Sequence, residues 1–518
     1  MTGPVIGPAP GTVAPGRVLA AHEMTDTTQK ARVPDWVVLA IACVAQFMVV
    51  LDVSIVNVAL PSMGRDLHYS ANGLTWVVNA YVLTFAGFLL LGGRAADLFG
   101  RRRIYLIGLA VFTGASLAGG LAQNSAWLTT ARAVQGLGGA ILSPATLTII
   151  VTTFSGAKLT RSLGVWSAVA GAGGAAGALL GGILTAEISW RWVLFVNIPI
   201  GVAGIVAALA YLSESRRDGA SRQRLDVLGA LAVTGGLGAL IYAIVGTTTH
   251  GWGSAQTLGW LGAAVVLLVV FALIEARVAS TPLVPFRLFR NRSVSGANMV
   301  MLLVGGAFFS FWYFLTLYMQ DVLGYSALRT GFAFFPMAVA IIIGAQVSSR
   351  TVVRIGVRPM LLVGTLVAVV GFAWLSAIGA HSGYWSDLFG PACLVALALG
   401  LLFTPLASAA TAGVHYSEAG LASGVLNTSR QMGGSLGLAV LTTIAAAATT
   451  AAVKGHSALP EAQTHGYSRA FMVASGISAA AFLWSFVVPT RRSPASERAA
   501  ADAVPDGEEG ALPTFDPA

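Results

Sequence analysis

The sequence predicts an all-α integral membrane protein with 14 transmembrane helices, arranged as two six-helix bundles plus an inserted central helix pair. Three observations carry this expectation. Of the 518 residues, 56% are hydrophobic and only 10% charged, with a mean hydropathy of +0.77, whereas a soluble domain would be about 25% charged. Apolar runs of roughly 20 residues, enough to cross a bilayer as a helix, recur fourteen times. A polar stretch at 213–225, SESRRDGASRQRL, interrupts them after the sixth.

Taken in order, residues 1–34 are rich in Pro, Gly and Thr and hold no long apolar core, which reads as a disordered cytoplasmic tail and not a cleaved signal peptide. The N-terminal six-helix bundle is expected over 35–212, with spans near 36–60, 74–93, 104–122, 126–151, 163–185 and 192–212. A cytoplasmic linker at 213–225 leads to an inserted helix pair at 226–277, with spans near 226–246 and 258–277. Residues 278–293 contain VPFRLFRNRS, whose apolar and basic residues alternate as in an amphipathic cytoplasmic segment lying on a surface. The C-terminal six-helix bundle is expected over 294–490, with spans near 296–320, 328–348, 358–379, 387–411, 422–450 and 469–489. Residues 491–518 form an acidic, Pro-bearing disordered cytoplasmic tail.

An even number of spans puts both termini on one side, and the charges choose it. Of the 30 Lys and Arg residues, 23 fall on the side of the termini, and only Arg65, Arg191, Arg329, Lys454 and Arg469 lie opposite. The positive-inside rule therefore makes both termini cytoplasmic in a multi-pass protein of the plasma membrane. The excess of Arg over Lys, with abundant Ala and Gly, suggests a bacterial source of high-GC coding. The net charge of +9 is spread over short loops and forms no single patch, so no nucleic-acid partner is expected.

Cys43 and Cys393 both lie in apolar runs, which argues against a disulfide framework or a Cys-based metal site. The seven histidines are scattered in loops and tails and no acidic pair recurs on one helix face, so a membrane enzyme lacks its acid-base constellation. No GxxxxGK[ST] loop is present to bind ATP. No cofactor or metal is expected.

One acid stands out against this background. Asp52 lies in LDVSIVNVALP, deep in the first span, where an ionised carboxylate is costly and usually marks an ion or proton path. Counting 1.5 Å per residue puts it roughly 12 Å from the outer end of that span, and Arg132 of the fourth span roughly 8 Å from the same end. The two charges are expected to pair, directly or through water. A packing hydrogen bond for Asp52 and snorkelling to the interface for Arg132 are the structural alternatives. Gln135 and Gly136 share the Arg132 face at i+3 and i+4, which turns that face away from lipid.

Further segments carry candidates. The loop GGRAADLFGRRR brackets a tight turn with glycines and places Asp97 where it could accept from helix-end amides or pair with an arginine. Gly173, Gly177 and Gly181 recur every four residues in the fifth span, a ridge that lets another helix approach closely. The ninth span is dense in aromatics, which by themselves read as an interfacial or core cluster. Arg430 sits in the polar opening of the thirteenth span and reads equally as a charge within the span or at its cytoplasmic edge.

Together with LTTARAVQGLGGA at 128–140, WRWVLFVNIPIG at 190–201 and GLASGVLNTSRQMGGSLG at 420–437, these segments resemble the fourteen-helix drug:proton antiporter family of the major facilitator superfamily. The resemblance covers about 36–490. It implies two bundles rocking about a central cavity, with proton uptake driving export of multidrug or secondary-metabolite substrates. By position, Gly93, Asp97, Gly100, Arg101 and Arg102 match the family's conformational latch loop. Arg132, Gln135 and Gly136 match its fourth-span proton-coupling motif, and Asp52 its first-span acid. The resemblance also implies that the ninth span lines the central cavity, which makes Phe309, Trp312 and Tyr313, with Asn57 of the first span, candidates for substrate contact. The family's fifth-span antiporter motif has a proline where this chain has Ala178. The expected partners are a hydrophobic small molecule, protons and the lipid bilayer, with the monomer as the functional unit. The expected activity is proton-driven export, against the alternatives of an importer or facilitator without proton exchange, or a membrane enzyme.

Overall fold

The computed structural model describes residues 34–212, 225–278, 282–284, 286–414 and 419–489, with Gly3 alone before them. The two tails and most of the linker lie outside these residues. The first half comprises α1 (Asp35–Asp66), α2 (Ala71–Phe99), α3 (Arg101–Gly120), α4 (Ser125–Thr153), α5 (Gly156–Glu187), α6 (Trp192–Phe195) and α7 (Asn197–Tyr211). The inserted pair is α8 (Val227–His250) and α9 (Ala255–Leu273), the latter ending in a π-helical turn at Ile274–Val278. A 3-10 turn, Phe286–Arg290, leads into α10 (Arg292–Leu317), followed by α11 (Ala327–Ile355), α12 (Val357–Leu375), α13 (Phe389–Thr411), α14 (Ala419–Lys454) and α15 (Leu459–Ser485).

Twelve helices among the described residues are long and apolar enough to cross a membrane. Two of the fourteen expected spans, at 163–185 and 469–489, fall on α5 and α15, of 32 and 27 residues, which are not among the twelve. The sixth span is continuous over Trp192–Tyr211. Pro199 has no N–H to donate to the Phe195 carbonyl, so one helical hydrogen bond is missing between α6 and α7, while the Val196 backbone stays helical.

Local chemistry sets the ends. Ser70 accepts from the Gly73 amide at 3.0 Å, Asn124 from Trp127 at 2.9 Å and Asp226 from Gly229 at 2.8 Å, each satisfying one orphan donor of a first turn. Between α2 and α3 the chain reverses at Gly100 with φ +99°, a conformation that a side chain would strain.

Within the first half α1 packs on α5, α2 on α4, and α3 on α4 and α7. In the second half α10 packs on α14, α11 on α13, and α12 on α13 and α15. The α1/α5 contact rests on the expected glycine ridge: a Cβ on Gly173, Gly177 or Gly181 would lie within 3 Å of α1 atoms, at Phe47, Ser54 and Ile55 respectively. With no hydrophobic drive between helices in lipid, such close backbone approach supplies the packing energy.

The two bundles meet along two seams, α2 with α14 and α5 with α11. On the face opposite the termini they touch directly. Gln320 Nε2 donates to the Val58 carbonyl at 2.8 Å, and a Cβ on Gly331 would sit 2.6 Å from the Ala178 carbonyl. Arg65 and Asp321 form an outer pair at 3.8 Å. The inserted pair is central in the chain but peripheral in space. Helix α8 lies along the α2/α14 seam, burying Leu237, Ile241 and Val245 with Leu83 and Ala439, while α9 packs chiefly on α8 and leaves Val265 and Val266 exposed.

Candidate functional site

The deepest polar cluster lies inside the first bundle, where α1, α3, α4 and α7 converge. Arg132 Nη1 donates to Asp52 Oδ2 at 2.6 Å, and both side chains are buried, at 3% and 0% exposure. The expected pair therefore forms directly. Gln135, one turn along α4, closes a ring: its Oε1 accepts from Arg132 Nη1 at 2.7 Å and its Nε2 donates to Asp52 Oδ1 at 2.7 Å.

Two members carry no signal that their sequence context made visible. Asn197 Nδ2 donates to Asp52 Oδ1 and to Ser116 Oγ, both at 3.0 Å. Ser116 Oγ also accepts from Gln135 Nε2 at 3.0 Å and donates to the Leu194 carbonyl at 3.0 Å. Asn197 opens α7, and its side chain lies against Asp52 of α1 and Ser116 of α3. Its presence in WVLFVNIPIG was the one available clue, a polar residue in an apolar run.

The guanidinium is held on its remaining sides as well. Nε donates to the Val77 carbonyl at 3.1 Å, and Cζ stands 4.3 Å from the Tyr81 ring centroid, a cation–π contact. Gly136 allows α2 this near: a Cβ there would lie 2.2 Å from the Tyr81 carbonyl. Three N–H donors thus converge on the Asp52 carboxylate. The Asn197 Oδ1 and the Tyr81 hydroxyl are buried without a hydrogen-bond partner.

Helix α1 is longer than the span expected at 36–60. It runs on past Pro61 to Asp66, because a proline near a helix end costs one backbone bond and the last turns survive it. Asp52 is fourteen residues from that end, roughly 21 Å of rise.

Asp52 faces the bundle interior, and the next residue faces the other way. Val53 and Asn57 of α1 line a cavity of about 170 Å³ between the bundles, with Val78 of α2 and, across from them, Phe308, Phe309 and Trp312 of α10. Asn57 Nδ2 donates to the Val53 carbonyl at 2.9 Å. Leu399, Leu402 and Leu406 of α13 and Arg430 of α14 close the wall. Tyr313 does not line this cavity. Successive helical residues point about 100° apart, so Tyr313, 2% exposed, turns into the second bundle, edge-on to Phe314 at 5.4 Å.

At the arginine-rich face, Arg102 Nη2 donates to the Leu209 carbonyl at 2.7 Å, tying the α2–α3 turn to the end of α7. Gly93 is open enough that a Cβ would stand 3.6 Å from Pro144 Cβ. Arg101 is partly buried, and the Asp97 side chain lies outside the described residues. Helix α5 runs unbroken through Ala178. Among the described residues no group of three or more His, Cys, Asp or Glu could hold a metal ion.

This architecture has known counterparts. The Major Facilitator Superfamily sequence model matches residues 42–224 and 219–438. A cephamycin export protein of Amycolatopsis lactamdurans is 45% identical over 80% of this chain and 85% of its own length. A puromycin resistance protein of Streptomyces alboniger is 38% identical over 91% and 94%. A multidrug resistance protein of Mycobacterium tuberculosis is 36% identical over 79% and 76%. Among solved structures, an inward-facing bacterial homologue of the human lysosomal transporter Spinster superposes with a TM-score of 0.62 at 17% identity, covering 89% of this chain and 98% of that one. Family model, relatives and fold agree: the chain is a multi-pass membrane transporter, not an enzyme, and belongs to the major facilitator superfamily.

Proposed function

We propose that this protein exports hydrophobic or amphipathic small molecules, drugs or secondary metabolites, in exchange for protons, and that Asp52 and Arg132 are the coupling pair. The observation that carries the reading is the double duty of α1. One face of the helix holds Asp52 among three donors, and the adjacent face holds Val53 and Asn57 against the cavity. Any change at the carboxylate that shifts or rotates α1 therefore changes the cavity wall.

A proton arriving on Asp52 would remove the charge that Arg132 pairs with and turn one acceptor position of the carboxylate into a hydroxyl donor. Asn197 is suited to follow that change: turned over, its unpartnered Oδ1 would accept from the acid where its Nδ2 now donates. Arg132, released from charge pairing, keeps Val77 and Tyr81. Movement of α1 against α4 would be passed to the cavity, and through the glycine ridge to α5 and the α5/α11 seam.

The cavity of about 170 Å³ is smaller than the roughly 300–1,000 Å³ of drug-sized sites, so the bundles must part to load substrate. The contacts of Gln320 and Gly331 on the far face would then be those that break to release it. The arginine-rich face is assigned to the cytoplasm by its charge, with the Gly93–Arg102 loop as latch and the monomer as functional unit. Relatives named for cephamycin export and for puromycin and tetracenomycin C resistance support antibiotics as the substrate class. The unbroken α5, with Ala178 in place of the antiporter proline, favours a second reading as a facilitator without proton exchange.

Purified protein in liposomes with an internal pH probe separates the two. Substrate-dependent proton movement in the wild type that is lost in Asp52→Asn supports exchange. Transport with no proton movement in either protein supports the facilitator.

A further inference from the structure

Two arginines of the described helices are used in opposite ways: Arg132 is buried, and Arg430 is half-buried on the central cavity. Arg132 spends its donors on Asp52, Gln135 and Val77. Arg430 has none of this. Its Nε and Nη2 both donate to Asn427 Oδ1, at 3.2 and 2.8 Å, and no partner is present for Nη1 among the described residues. Of the four ion pairs among those residues none involves Arg430, and no carboxylate lines the cavity it faces.

Arg430 stands on the cavity wall, opposite Val53 and Asn57. It is eleven residues into α14, roughly 16 Å of helical rise. Its backbone is fixed there by close packing, since a Cβ on Gly305 of α10 would lie 2.3 Å from the Arg430 carbonyl. The rest of the wall is aliphatic and aromatic, Phe309 and Trp312 included. A cation held in such surroundings without an anionic partner is costly. A guanidinium with an unused N–H edge is also the group best shaped to take a carboxylate in two parallel hydrogen bonds.

We infer that Arg430 is the recognition group for a carboxylate on the transported molecule, and that this cavity selects substrates joining one carboxylate to an apolar, planar body. The acid would sit on the guanidinium while the rings lie against Phe309 and Trp312. The inference deepens the export reading and rests on it. It narrows the substrate class from amphipathic compounds in general to organic acids.

The test uses the full-length protein in nanodiscs of zwitterionic lipid, titrated calorimetrically with 2-naphthoate and with its neutral isostere 2-naphthamide. The wild type should bind the carboxylate about tenfold or more tighter than the amide, the size expected of a charge-assisted pair. Arg430→Gln should abolish that preference while retaining amide binding, and Arg430→Lys should restore part of it. Equal affinity for the two probes in the wild type, binding of neither, or a preference that survives in Arg430→Gln would each overturn the inference. The wild-type comparison decides alone should the Gln variant fail to fold. Proton-linked efflux of an uncharged amphipathic dye by wild-type liposomes would leave the export reading standing in all of those cases.

Discussion

Arg132 Nη1 and Asp52 Oδ2 lie 2.6 Å apart in the interior of one bundle, on helices α4 and α1, with Gln135 bonded to both. Neither side chain reaches the central cavity, although the residue after Asp52 does. The charge pair is thus placed to act on the helix that carries it, and not on the substrate.

Breaking one side of the pair should cost more than removing both. Arg132→Ala strands a buried carboxylate, a loss of about 3–5 kcal/mol by the usual behaviour of such pairs. The double variant Asp52→Asn with Arg132→Gln leaves no buried charge and should melt closer to wild type. Thermal unfolding of the purified proteins in detergent checks the order. A double variant less stable than Arg132→Ala would show that the stranded charge is not what destabilises the single variant.

Two glycines of α5, one crowded and one open, should respond differently to bulk. Gly177→Val forces a side chain into α1 inside the first bundle, where Ser54 Cβ and the Leu51 carbonyl are 2.7 and 2.8 Å from a Cβ position. Overpacking of this kind costs about 1–3 kcal/mol or more, so the variant should be less stable and poorly monodisperse. Gly174→Ala, whose nearest neighbour would be Val50 Cγ1 at 3.9 Å, should be tolerated.

Gly331→Val instead places its bulk between the bundles, against the Ala178 carbonyl. The expected outcome is a folded protein whose far face is wedged apart. Spin-label distances between α5 and α11 should lengthen on that face while the melting temperature stays near wild type. Unchanged distances would mean that the α5/α11 seam is not a moving contact.

Gln320 and Arg65 test which far-face contact matters. The Arg65–Asp321 pair is 3.8 Å long with Arg65 67% exposed, and such surface pairs contribute about 0–1 kcal/mol. The buried bond from Gln320 to the Val58 carbonyl contributes about 1 kcal/mol, so Gln320→Leu should raise the population open on that face about fivefold. Asp321→Asn should change it little. Cysteine accessibility on α1 near Val58 reads both.

The sequence disclosed the charged half of the site and little of the neutral half. Asp52 and Arg132 were legible because a buried charge in an apolar span must find a partner, and Gln135 followed from helical spacing. Ser116 and Asn197 were not, because an uncharged polar residue in a membrane helix is common and its direction depends on how α3 and α7 pack against α1. The aliphatic wall from Leu399 to Leu406 has no sequence signature that separates it from lipid-facing leucines. The aromatics of α10 were visible as a group, but the turn of the helix that brings Phe309 and Trp312 to the cavity and removes Tyr313 is a matter of packing. The glycine ridge was legible as a close approach, while its partner, α1, came from the structure.

The central claim is that Asp52 couples substrate movement to protons without being needed for the movement itself. Asp52→Asn in liposomes, assayed both for substrate exchange with no gradient and for accumulation against a pH gradient, tests it most directly. The coupling account predicts exchange near the wild-type rate and no uphill accumulation. Uphill accumulation retained at the wild-type level would contradict it.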